Sequence, residues 1–129
     1  MVYLADWLSA QKNGRQITNI NWFFDHYGPY VHDVYAEAKK DRMLEIVQEF
    51  NAFGTPKETI YLKEGVNKLK LDKIPKEDRE ILDEVIESTK HLNWSEFIDY
   101  VYSTYPIKRE KRYNYLDLVR LAEESEEYV

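Results

Sequence analysis

Apolar positions along this chain follow a helical rhythm at both ends and a strand-like rhythm in the middle. Tyr3, Leu4, Trp7, Leu8 and Gln11 recur at helical spacing. They predict an amphipathic helix from Val2 to about Asn13, closed by Gly14 as its C′ residue. An extended aromatic run, Trp22-Phe23-Phe24, leads to Gly28-Pro29. Glycine turns without a Cβ penalty, and proline has its φ pre-set for a first helical position. A second helix is therefore expected from Pro29 to about Lys40, with Val31, Val34, Tyr35 and Ala38 on one face.

Met43 to Phe50 and Glu58 to Lys63 are short and rich in Ile, Val, Tyr and Phe, and turn residues Asn51 to Lys57 separate them. This reads as a β-hairpin. Ile46-Val47 breaks the alternation, which leaves open a bulge or a continuation of the second helix. Beyond a polar stretch from Lys63 to Lys73, Pro75 opens a helix that buries Ile81, Leu82, Val85 and Ile86. The next helix has Asn93 as N-cap, Glu96 at N3 and Leu92 with Phe97 as a hydrophobic staple. Its apolar stripe is Phe97, Ile98, Val101 and Tyr102, and Pro106 stops it. A last helix is expected from Asn114, carrying Tyr115, Leu118, Val119 and Ala122. Its acidic end, Glu123 to Glu127, opposes the helix dipole and is expected to be poorly ordered. The fold class is mostly α (α+β): a compact bundle of about five helices with one small β-hairpin, in a single domain over residues 1–129.

Composition narrows the function. Eighteen basic against 24 acidic side chains give a net charge of -6. That balance disfavours general nucleic-acid binding, which rests on neutralising many phosphates. Cysteine is absent, so disulfides and thiolate metal sites are excluded. No apolar run approaches the ~20 residues that span a bilayer, and residues 1–6 lack the basic and long apolar regions of a signal peptide. A soluble, cytoplasmic protein is the expectation.

Candidate chemistry is sparse. Asp25, His26, His32 and Asp33 form the one cluster of metal-ligand type, and two imidazoles with a carboxylate would suit zinc. Their spacing straddles the Gly28-Pro29 turn, and His32 and Asp33 would point about 100° apart on a helix. Structural or interface histidines are the better reading. No serine sits in a nucleophile elbow, and the four glycines are too scattered for a phosphate-binding loop. Lys108-Arg109-Glu110-Lys111-Arg112, between Tyr105 and Tyr113, suits phosphate contacts with stacking nearby. The alternative is a basic loop facing Glu123 to Glu127 of the same chain. Eleven tyrosines and three tryptophans exceed what a small core comfortably hides. Trp7, Trp22, Phe24 and Tyr27 are assigned to a core between the first two helices, while Tyr30, Tyr35, Tyr102 and Tyr105 are expected to be partly exposed.

The segment Trp22 to Tyr35 holds six of the 19 aromatics and two of the three histidines. Together with Tyr3-Leu4-Ala5-Asp6-Trp7, with Leu82-Asp83-Glu84-Val85, and with Phe97-Ile98 followed by Val101 to Pro106, it resembles the Panacea (SocA-like) domain. An apolar turn often precedes the Tyr-Leu-Ala-Asp stretch in that family, so the resemblance implies a start slightly inside the usual domain. The family occurs largely as antitoxins in bacterial and phage toxin–antitoxin pairs. The resemblance implies a non-catalytic protein that binds and neutralises a partner toxin; some relatives act instead as adaptors to a protease. From the residues themselves, no cofactor or metal is expected. The partner-binding residues are placed at His26, Tyr27, Tyr30, His32 and Tyr35, which mix aromatic and polar groups on the turn and first helical turn. The alternatives are a phage or mobile-element protein that binds another host factor, and a metal-dependent hydrolase built on Asp25, His26, His32 and Asp33.

Overall fold

A computed structural model describes residues 1–26, 28–30, 32–40, 44–62 and 74–126, with the backbone alone at 32, 33, 60 and 62. These fall into two compact units. The first comprises Met1–Val31 and Ile74–Val129, the second His32–Lys73.

In the first unit the opening helix α1 (Val2–Asn13) is the hub. The sequence predicts a one-sided amphipathic helix, but Tyr3, Leu4, Ala5, Asp6, Trp7, Ser9 and Ala10 are all buried. The helix is enclosed because α3 (Lys76–Thr89) and α6 (Leu118–Glu126) both pack on it. Leu4 and Ala5 join Ile81, Val85 and Val101 in the core, with Leu8, Ile17, Leu82 and Phe97 against them. Gly14 terminates α1 as predicted, with φ of 71° in the left-handed region.

A polar device inside this core ties the chain after α1 back onto the helix. Asp6 is fully buried. Its carboxylate accepts hydrogen bonds from the Ile17 and Thr18 backbone N–H groups, both at 2.9 Å, and from the Thr18 hydroxyl. It also accepts from Trp22 Nε1 at 2.8 Å and Gln16 Nε2 at 3.4 Å. A buried carboxylate is tolerable only when its lone pairs are filled in this way. Asp6 thereby sets where the next strand begins.

That strand, β1 (Trp22–Asp25), lies in the centre of a three-stranded antiparallel sheet of order β2-β1-β5, with β2 at Gly28–Tyr30 and β5 at Tyr115–Leu116. Two expectations are corrected here. Pro29 does not open a helix: it pairs with Phe24 in β2, and α2 begins at His32. An edge strand tolerates proline because one side of it needs no N–H donor. Asn114 does not cap a helix either; Tyr115 and Leu116 pair with Phe23 and Trp22, and α6 starts at Leu118. Gly28 is required where it stands. Its φ is 115°, a conformation that side chains rarely adopt, whereas a Cβ there would make only ordinary contact with the Tyr102 ring at 3.6–3.8 Å.

The α4 helix (Trp94–Tyr102) has the predicted capping box: Asn93 Oδ1 accepts from Glu96 N, and the Glu96 carboxylate accepts from Asn93 N. Pro106 does not simply stop it, but sits in the first turn of a further short helix, α5 (Tyr105–Arg109). The acidic C-terminal run remains helical to Glu126, and the rest of the segment expected to be poorly ordered lies outside the described residues.

The second unit contains α2 (His32–Lys40) and the predicted hairpin, β3 (Leu44–Phe50) with β4 (Pro56–Leu62). Its register runs without a bulge from Leu44 opposite Leu62 to Phe50 opposite Pro56. Ala38 of α2 is buried, and α2 packs on β3. The architecture is thus α+β, with six helices and two small antiparallel sheets among the described residues, where five helices and one hairpin were expected.

Candidate partner-binding face

Period-two alternation sorts the side chains of the three-stranded sheet onto opposite faces. Trp22, Phe24 and Leu116 point inward and are 3–4% exposed. Trp22 meets the Tyr3 ring at 5.6 Å, and Phe24 meets Tyr102 edge-on at 6.4 Å. On the outer face the register places Tyr30 opposite Phe23 and Phe23 opposite Tyr115. The result is a row of three aromatic side chains across three adjacent strands. Phe23 is half-buried beneath its edge contact with Tyr115 at 5.2 Å, while Tyr30 and Tyr115 are 53% and 71% exposed.

The polar end of this face is built by the segment after α5. The Tyr113 N–H donates to the Phe24 carbonyl at 2.6 Å, and the Phe24 N–H donates to the Asn114 carbonyl at 2.9 Å. Tyr113 has a positive φ of 69° and is 63% exposed. Its hydroxyl lies 3.4 Å from His26 Nδ1. Arg112 Nε donates to the His26 carbonyl at 3.2 Å, with its guanidinium 5.5 Å from the centre of the Phe24 ring. Two contacts therefore tie His26 to the 112–114 segment, and three more tie Phe24 to it. Aromatics in a fixed backbone frame offer contact area at small entropic cost, the property that places Tyr and Trp at protein interfaces.

The residues singled out from sequence divide between the two units. His26 and Tyr30 belong to this face, and Tyr27 lies outside the described residues. His32 and Tyr35 belong to the second unit. The His32 side chain lies outside the described residues, and Tyr35 is half-buried on α2, lining a recess with Ala38, Leu44 and Ile46. Tyr30 is exposed as expected, with Tyr102 and Tyr105 partly so; Trp7, Trp22 and Phe24 are core. Sequence reading missed Phe23 and Tyr115. The alternation Trp22-Phe23-Phe24-Asp25 carried the signal for the first, whereas the helix expected from Asn114 hid the second.

The metal-type cluster is not assembled among the described residues, where no three His, Asp or Glu side chains converge. Asp25 Oδ1 instead accepts from the His26 N–H at 2.8 Å. The side chains of His32 and Asp33 lie outside the described residues. The basic run turns partly inward on its own chain. Arg109 Nε donates to Glu124 at 3.0 Å, and that bond holds the Glu124 carboxyl below the usual carboxylate range. Arg120 bridges Glu110 and Glu124 at 3.4 and 3.6 Å. Among the described residues no helix is long and apolar enough to cross a membrane.

Comparison with curated proteins gives no match, nor does comparison with solved structures. The model of one family, described as the antitoxin SocA-like, Panacea domain, matches residues 1–106 and so takes in α1, both strands of the aromatic hairpin, the second unit and α4. The chain therefore belongs to the SocA-like Panacea domain family, whose antitoxin-type role points to a protein partner.

Proposed function

We propose that this protein is a non-catalytic antitoxin that neutralises a protein toxin by direct contact, and that the outer aromatic face of the three-stranded sheet makes that contact. The observation that carries the reading is the outward row Tyr30, Phe23 and Tyr115, its two tyrosines exposed, on a sheet whose inward Trp22, Phe24 and Leu116 are buried. A sheet with one face already committed to the core has only its outer face to offer. Tyrosines there supply an apolar body for burial and a hydroxyl for the partner's polar rim. The His26–Tyr113 pair and Arg112 add polar groups at one end.

Charge supports a basic partner. The first unit holds ten Lys and Arg against 16 Asp and Glu, while the second holds eight of each, so the whole net charge of -6 belongs to the first. A surplus of this kind raises the rate of encounter with a cationic protein more than the final affinity.

The test is co-expression of the chain with the product of the adjacent gene. Restored growth, with both proteins recovered as one complex, is the expected result. A neighbour that does not inhibit growth, or inhibition that persists without a complex, would overturn the proposal.

A further inference from the structure

The second unit carries an aromatic feature of a different kind. Phe53 is 93% exposed and Phe50 73%, both at the end of the β3–β4 hairpin. A surface phenylalanine on a loose loop would carry little information, because ordering it on binding would cost much of what burial returns. This turn is braced. Asn51 Oδ1 accepts from the Phe53 and Thr55 N–H groups, both at 2.9 Å. The Asn51 N–H donates to the Thr55 carbonyl at 2.9 Å, and the Gly54 N–H donates to the Asn51 carbonyl at 3.0 Å. Four hydrogen bonds thus converge on one residue, and Gly54 takes the left-handed φ of 76° that the turn requires. Phe53 stands on a frame already in its final shape.

The rest of the hairpin is committed elsewhere. Towards its base, Leu44, Ile46 and Gln48 of β3 line a recess with Tyr35, Ala38 and Lys39 of α2. That recess does not take in Phe50 or the turn. On the opposite face Glu49 accepts from Tyr61 Oη at 2.8 Å and Thr59 Oγ1 at 3.1 Å. The tip therefore projects two phenylalanines beyond a hairpin that is otherwise paired.

Charge identifies what the tip can enter. From Leu44 to Leu62 the chain carries Glu45, Glu49 and Glu58 but one cation, Lys57, whose ammonium lies 3.8 Å from Glu49. A hairpin with more carboxylates than cations offers no cationic surface of the kind that anionic lipid headgroups or nucleic-acid phosphates require. It suits an apolar pocket with a cationic rim on a protein. We infer that the hairpin tip is a second, pre-organised anchor, with Phe53 inserting into an apolar, Lys- or Arg-rimmed pocket on the toxin. This rests on the antitoxin reading above, and uses a surface separate from the aromatic sheet face.

The experiment is a calorimetric titration of the full chain with the purified product of the adjacent gene, on wild type, Phe53→Ser, Phe53→Tyr and Asn51→Ala. Phe53 is nearly all in solvent, so its replacement should leave the melting temperature unchanged. The expected results are a loss of roughly 30-fold or more for Phe53→Ser, a change within about threefold for Phe53→Tyr, and about tenfold for Asn51→Ala, which loosens the frame but keeps both rings. Phe53→Ser binding as tightly as wild type, while wild type does bind, would overturn the anchor and leave the antitoxin reading standing. Wild type that binds nothing would overturn both. If Phe53→Ser instead turns a dimer of this chain into a monomer without weakening toxin binding, the pocket lies on a second copy and the inference is wrong.

Discussion

Trp22 and Tyr115 sit within one residue of each other across the same strand pair and have opposite fates. Trp22 is buried, packed on Tyr3 and hydrogen-bonded to Asp6. Tyr115 lies on the other face, 71% exposed, with Phe23 as its ring contact. Aromatic content alone does not distinguish buried from exposed residues here; the pleat does. Along β1 every second side chain enters a core organised by α1, and the residues between face outward, where the proposed contact is placed.

The comparison breaks most sharply at Trp22. Trp22→Ala should cost about 3–5 kcal/mol, through lost burial and the cavity left behind. Tyr115→Ala, measured by the same denaturant unfolding, should stay within about 0.5 kcal/mol. Similar costs for the two would mean that the outer row is also structural.

Asp6→Asn sharpens the inner half. The amide keeps one acceptor oxygen for the Ile17 and Thr18 N–H groups, but turns an NH2 towards the Trp22 and Gln16 donors that Oδ2 now serves. A loss of about 2–3 kcal/mol is expected from the unpaired donors, with a red-shifted Trp22 fluorescence if the indole loosens. An unchanged unfolding midpoint would remove Asp6 from the account.

Tyr3 gives a smaller, pH-dependent effect. Its hydroxyl lies 2.9 Å from Thr104 Oγ1, which itself donates to the Val101 carbonyl, so Tyr3 is the donor of the pair. Burial pushes the phenol well above its ordinary value of 10.0. The unfolded chain then loses this proton first, so the stabilisation is complete below pH ~10 and declines as pH rises above it. Tyr3→Phe should cost about 1 kcal/mol at neutral pH and flatten that alkaline decline. An equally steep decline in the variant would point to other groups.

The least effect is expected in the second unit. The Tyr61 hydroxyl holds the Glu49 carboxyl below its ordinary range, with Thr59 and Lys57 contributing less. Tyr61→Phe should move the Glu49 titration upward in an NMR pH series, so that the carboxylate's contribution is lost at a higher pH during acidification. No movement would show that the bond is not kept in solution.

Much of the helical framework was legible because its signals are local. Gly14 ends α1, and Asn93 with Glu96 starts α4, each through geometry contained within a few residues. The paired strands β3 and β4 were legible for the same reason, with turn residues between them. Pro29 and Tyr115 misled because their roles are set at a distance. Pro29 favours a helix start until β1 pairs with it, and a two-residue strand such as β5 has no period of its own to read. The buried Asp6 was also invisible, since a polar residue in a helix reads as a solvent position until Trp22 and the 16–18 segment close over it. For the candidate face, the aromatic run of β1 was legible in the sequence, but Tyr115, which shares its outer face, comes from the far end of the chain.

The central claim is that the outer aromatic row binds the toxin while contributing little to the fold. Its most direct test is the affinity of the double variant Tyr30→Ser, Tyr115→Ser for the adjacent gene product, measured beside its melting temperature. The account predicts a loss of roughly 100-fold in affinity at an unchanged melting temperature. Wild-type affinity in the double variant, or unfolding that accompanies the loss, would contradict it.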